Sequence, residues 1–152
     1  MKYLLLFLAL GGLARAADRS ELVWHGQLAP ASPRPGDTAE LIVAAELPPH
    51  ALVYSSDFKS DIGPQPTVLD LAGSEGIELI GPVRSVEAKR KHDKTWDIEL
   101  GYFEARAELR QTVRIVRPDF VLRGKVAGQL CDEKEGTCTL FTERLSVVPA
   151  GK

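Results

Sequence analysis

The chain has 152 residues, with 19 Lys and Arg against 21 Asp and Glu, a formal charge of −2 at pH 7, and 44% hydrophobic residues. That length suits one domain able to bury its own core, and the mildly acidic balance excludes a surface built to track a phosphate backbone. The densest basic run, Lys89-Arg90-Lys91, is followed at once by His92 and Asp93 and reads as a solvated loop, so no nucleic-acid partner is expected.

Residues 1–16 have the three parts of a secretory signal: Lys2 as the positive end, an apolar run from Tyr3 to Leu13, and Ala14-Arg15-Ala16 as the cleavage site. The apolar run is well short of the roughly 18 to 20 residues that cross a bilayer. Cleavage leaves residues 17–152 as a single domain starting at Ala17. Without Lys2 and Arg15 its charge is 17 minus 21, or −4. The two cysteines lie too far downstream to carry a lipid. The expected product is a soluble periplasmic protein.

Short apolar runs of period two then recur about every ten residues, the signature of an all-β sandwich or barrel. In chain order they are Leu22 to Leu28, Thr38 to Glu46, Ala51 to Ser55, Thr67 to Leu71, Ile77 to Ile80, Trp96 to Phe103, Phe120 to Ala127 and Phe141 to Val148. The second is the clearest, with Ala39, Leu41, Val43 and Ala45 on one side. Turns fall at Pro33-Arg34-Pro35-Gly36-Asp37, Pro48-Pro49, Gly63-Pro64-Gln65-Pro66 and Arg117-Pro118-Asp119. Glu104 to Val116 satisfies both a strand and a helical face; its Val- and Ile-rich second half favours a strand.

Chemistry is sparse along this chain. His25, His50 and His92 stand in different segments, and two cysteines without a second pair do not complete a zinc site, so no metal or other cofactor is expected. There is no Gly-x-Ser-x-Gly elbow and no phosphate-cradling loop. What remains is Cys131-Asp-Glu-Lys-Glu-Gly-Thr-Cys138, between the strands ending at Ala127 and starting at Phe141, where the sulfurs would lie at the mouths of adjacent antiparallel strands. As a staple, a bridge closing so short a loop stabilises a fold by only ~2 to 3 kcal/mol. As an exchanging pair it is slow by itself, because Asp132, Glu133 and Glu135 oppose thiolate formation. Such a pair suits exchange with one docked partner that supplies the attacking thiolate.

Ordered short motifs carry a resemblance: Pro49-His50-Ala51-Leu52-Val53-Tyr54-Ser55, Gly63-Pro64-Gln65-Pro66-Thr67, Leu79-Ile80-Gly81-Pro82, Gly101-Tyr102-Phe103-Glu104, and Gly124-Lys125-Val126-Ala127-Gly128-Gln129-Leu130-Cys131-Asp132 leading to Cys138. From about Pro30 to Val148 the chain resembles the N-terminal periplasmic domains of the thiol:disulfide interchange protein DsbD and related disulfide-bond correctors. The resemblance implies an immunoglobulin-like antiparallel β-sandwich acting as an electron relay. A thioredoxin-like partner would reduce it, and it would reduce periplasmic disulfide isomerases or cytochrome c maturation thioredoxins. It also implies Cys131 and Cys138 as the redox pair, with Cys138 forming the mixed disulfide, and an aromatic-bearing cap over about His92 to Phe103. Trp96 is the first cap candidate and Tyr102 or Phe103 the next, while Tyr54 matches a tyrosine near the cysteines. Each aromatic also reads as ordinary sandwich core. Two departures stand out: Thr139-Leu140-Phe141 follows the second cysteine, and the chain ends at Lys152 without a transmembrane or thioredoxin-like domain, so the reductant would be a separate protein. The rival readings are a non-catalytic binding or chaperone-like module whose disulfide only staples a hairpin, and a redox-inert remnant that keeps the docking surface.

Overall fold

Alternation of apolar and polar side chains is converted directly into two-faced strands. The computed structural model describes residues 22–59 and 61–147. The secretory signal over 1–16, the expected start at Ala17 and the expected strand end at Val148 lie outside the described residues. In chain order the strands are β1 (His25–Ala29), β2 (Thr38–Glu46), β3 (Ala51–Tyr54), β4 (Val68–Asp70), β5 (Ile77–Ser85), β6 (Lys89–Asp93), β7 (Ile98–Glu104), β8 (Arg106–Ile115), β9 (Lys125–Asp132), β10 (Thr137–Arg144) and β11 (Ser146–Val147). No helix occurs among the described residues, and hence none long and apolar enough to cross a membrane.

Two sheets form the sandwich. The first runs β11-β1-β2-β8-β5, and the second β10-β9-β3-β7-β6 with β4 also paired to β9. Every strand pair is antiparallel except the short β1–β11 contact. Between the sheets lies the main core, where Leu41, Val43, Ala107 and Leu109 of the first sheet meet Val53, Phe103 and Val126 of the second. Trp24 is fully buried there and stacks on Phe141 with ring centroids 6.3 Å apart. Each such side chain contributes roughly 1.5 to 3 kcal/mol of burial.

The ambiguous segment resolves as a strand. Ala107, Leu109, Gln111, Val113 and Ile115 are all buried at period two, and Ala105, at φ 61°, separates β7 from β8. Several boundaries differ from expectation. β5 continues past Gly81-Pro82 through a register shift between Ile80 and Arg84, where the buried Gln111 amide donates to the carbonyls of Ile80 (3.1 Å) and Gly81 (3.2 Å). A register shift of this kind inside a strand that continues on both sides of a Gly-Pro pair is a bulge. The run Lys89 to Asp93, expected as a loop, is the edge strand β6 paired to β7. Phe120 to Arg123 leaves the ladder except for a Glu75–Val121 bridge, so β9 starts later than expected and runs on to Asp132.

Candidate functional site

The shift of β9 and β10 along the chain moves the cysteines from the strand mouths into the ladder itself. Cys131 and Cys138 are directly opposed in register, with Cα atoms 4.0 Å apart and the sulfurs joined in a disulfide. That separation matches the closer of the two spacings in an antiparallel pair. The turn that sets this register is local. Gly136 adopts φ 66° and its amide donates to the Asp132 carbonyl at 2.8 Å, while the Asp132 carboxylate accepts from the amides of Lys134 (2.8 Å) and Glu135 (3.0 Å). An Asx-type turn closed by a left-handed glycine returns the chain so that the two cysteines meet.

Strand parity then decides what surrounds the sulfurs. Val126 and Leu130 point into the sandwich, so Cys131 points to the outer face of the second sheet. There it is 5% exposed and belongs to a second apolar cluster with Leu52, Tyr54, Phe58 and Leu100, against which Ile98 and Tyr102 pack. Cys138, on the edge strand, is exposed, as are Thr137, Thr139 and Leu140. Leu140 shares the face of Cys138 and is 74% exposed.

Charges of both signs frame this face. Lys91 lies over the rings of Tyr102 (4.7 Å to the centroid) and Tyr54 (5.9 Å), and Lys89 pairs with Glu104. Glu104 stands opposite Leu52, which in turn is opposite Cys131. Burial, and secondarily the charges of Asp93 and Glu133, push the Tyr54 phenol above its ordinary range. It therefore stays neutral at physiological pH.

The aromatics named from sequence divide between the two faces. Tyr54 joins the cluster that holds Cys131, and Tyr102 packs against that cluster. Phe103, one residue on, points the other way and is buried in the main core beside Val53. Trp96, in the turn between β6 and β7, is 41% exposed, and its ring lies on Gly63, 2.9 Å from where a Cβ would stand. Gly63, at φ 96°, is thus required twice over, by conformation and by the ring. The histidines stay apart: His50 sits at the turn before β3, and His92 lies 3.1 Å from Asp97 and 3.0 Å from Glu99. Phe58 was missed. Its signal was an aromatic in an otherwise polar stretch, Ser55-Ser56-Asp57-Phe58-Lys59, where no strand needed it.

No protein-family model matches this chain, and no curated protein matches it. Among solved structures it is similar to the crystal structure of the Neisseria meningitidis DsbD N-terminal domain in the reduced form, with a TM-score of 0.51 and 14% sequence identity over 86% of each chain. The chain therefore has the fold of a DsbD N-terminal domain, an immunoglobulin-like β-sandwich.

Proposed function

We propose that this domain is a periplasmic thiol–disulfide relay, passing electrons between a thioredoxin-like reductant and periplasmic acceptor proteins through Cys131 and Cys138. The observation that carries the reading is the asymmetry of the bridge: a disulfide on the outer face of one sheet, with Cys138 exposed and Cys131 buried. The fold likeness supports it, as does the signal pattern in residues 1–16, which supports export.

Exchange proceeds in two balanced steps. A partner thiolate attacks the Cys138 sulfur; the Cys131–Cys138 bond breaks, its electron pair leaves on Cys131, and a mixed disulfide joins Cys138 to the partner. The partner's second thiolate then attacks its own sulfur in that mixed disulfide and releases Cys138. Two electrons and two protons have moved, and the partner leaves oxidised. Passing them on reverses the roles: the Cys138 thiolate attacks an acceptor disulfide, and Cys131 resolves the mixed disulfide. No bound cofactor takes part. The acidic neighbours Asp132, Glu133 and Glu135 oppose thiolate formation in the reduced pair and so slow its loss to bystander disulfides.

Equilibration in a dithiol buffer series tests the reading. An exchanging pair has a reduction potential less negative than about −300 mV, whereas a staple lies below it. Cys131→Ala, first activated at Cys138 as its mixed disulfide with 5-thio-2-nitrobenzoate, should also be attacked by the single thiolate of a thioredoxin-like protein lacking its resolving cysteine, giving a trapped Cys138 mixed disulfide and releasing the thionitrobenzoate. A potential in the structural range together with no trapped complex would leave the alternative, a binding module with a stapled hairpin.

A further inference from the structure

The ladder already places Cys138 on the edge strand β10 and Cys131 on the inner strand β9, but a side chain on the outer face of an inner strand is hidden only if something lies over that face. On the Cys131 side stands Phe58, 9% exposed, in the same outer cluster and edge-on to Tyr54 with centroids 6.1 Å apart at 70°. Phe58 does not belong to any strand. Its position is fixed by the residues just before it. The Ser55 amide donates to the Gly101 carbonyl at 2.9 Å, adding one rung beyond β3 against β7. The Ser55 hydroxyl donates to the Asp57 carboxylate, which pairs with Arg90 of β6. The Ser56 amide donates to the Ser85 hydroxyl of β5 at 2.8 Å. Three different strands thus hold the residues just before Phe58, and Phe58 itself packs in the cluster on the outer face. Among the described residues nothing comparable covers Cys138, which is exposed with its neighbours Thr137, Thr139 and Leu140.

Resting on the relay reading, we propose that Phe58 is a specificity-determining residue of exchange: it covers Cys131, so that partner thiolates and acceptor disulfides react at Cys138 and Cys131 acts only as leaving and resolving group. The anchor through Asp57 and Arg90 makes this cover part of the fold rather than a side chain free to swing aside. Leaving-group and resolving roles need no access from solvent, because both are intramolecular, so burial of Cys131 costs the cycle nothing it uses.

The test is the position of alkylation in the reduced mature protein. With limiting iodoacetamide, peptide mass spectrometry should find the wild-type adduct on Cys138. In Phe58→Ala the ratio of Cys131 to Cys138 adduct should rise about tenfold, as a residue 5% exposed becomes an open one. Phe58→Leu, which refills the space, should return the ratio toward wild type. Arg90→Gln, which removes the exposed anchor without emptying the cluster, should move it in the same direction as Phe58→Ala and keeps the proposal testable should that variant not fold. An unchanged ratio in folded variants would show that Leu52 and Tyr54 suffice, and an equal rise at both cysteines would mean general loosening; either overturns the role of Phe58. Because alkylation needs no redox partner, this result is separate from the reduction potential, whose failure would remove the relay while leaving the cover of Cys131 to be judged by itself.

Discussion

Replacing both cysteines, Cys131→Ala with Cys138→Ser, should leave a cooperatively folding β-sandwich that is weaker by an amount fixed by the loop. The sequence separation is 7 residues. On the chain-entropy model that closure contributes about 2.4 kcal/mol at 25 °C. Alanine is chosen at position 131 because a serine hydroxyl in the outer apolar cluster would add an unsatisfied polar group, at roughly 1 to 3 kcal/mol, and blur the measurement. The main core between the sheets contains neither cysteine, so its burial is untouched. For a domain of this size the loss corresponds to a melting-temperature drop of about 5 to 10 °C. Urea unfolding followed by far-UV circular dichroism is the assay, with the slope m expected to rise only slightly because releasing so short a loop makes the unfolded chain little less compact. An unfolded double variant, or a loss above about 5 kcal/mol, would refute the argument that the fold is independent of its bridge.

Three further outcomes are expected. Trp96→Ala should cost less than the ~3 to 5 kcal/mol of a core aromatic, since the ring is 41% exposed, and should leave the alkylation rate of the reduced pair unchanged because its contact is Gly63; a clear acceleration would return Trp96 to the role of cap. Tyr54 has a raised folded pKa, so its contribution is complete below the unfolded value near 10 and falls as pH rises through the folded pKa; urea midpoints at about pH 9 and 10.5 should drop more in wild type than in Tyr54→Phe, and equal drops would contradict the assigned environment. Periplasmic protein should begin at Ala17, which intact-mass measurement checks, and a retained residue 1–16 segment or a lipid mass would count against the export reading.

Much of the architecture was legible because most strands have one buried face. β2 was read to the residue, and β8 declared itself through its alternation once the helical option failed. Strands whose burial departs from that rule were harder. β6 is an edge strand carrying Lys89, Arg90, Lys91, His92 and Asp93, and it is held by ladder bonds and by the Lys91 ammonium over two tyrosine rings rather than by apolar alternation. The expected run Ile77 to Ile80 stopped short of the full β5 because the apolar pattern ends where the bulge begins, and the strand resumes beyond it to Ser85. At the site, the cysteine pair was plain from spacing, but the division of the aromatics was not. Tyr102 and Phe103 are adjacent, and only the register of β7 against β3 decides that the first faces the disulfide side and the second the core. Phe58 was hidden for a different reason: its packing depends on contacts from β5, β6 and β7, all distant in sequence.

The two clusters on opposite faces of one sheet explain how the proposed redox step and a stable fold would share a strand. β9 places Val126 and Leu130 in the main core and Cys131 outside it, while β10 sends Phe141 inward to Trp24 and leaves Thr137 to Leu140 exposed. Breaking the sulfur bond therefore removes a constraint from the tip of the hairpin, whose remaining supports are ladder bonds and the Asp132–Gly136 turn, without touching the part of the same hairpin that is anchored in the sandwich. Local opening free energy is lowest where buried apolar contacts are fewest, which on β10 is the stretch around Cys138 itself. Any opening that accompanied exchange at Cys138 in the proposed relay would thus fall on residues the core does not depend on. Cys131, one strand further in, packs instead in the outer cluster with Leu52 and Phe58, where such opening would cost buried apolar contacts.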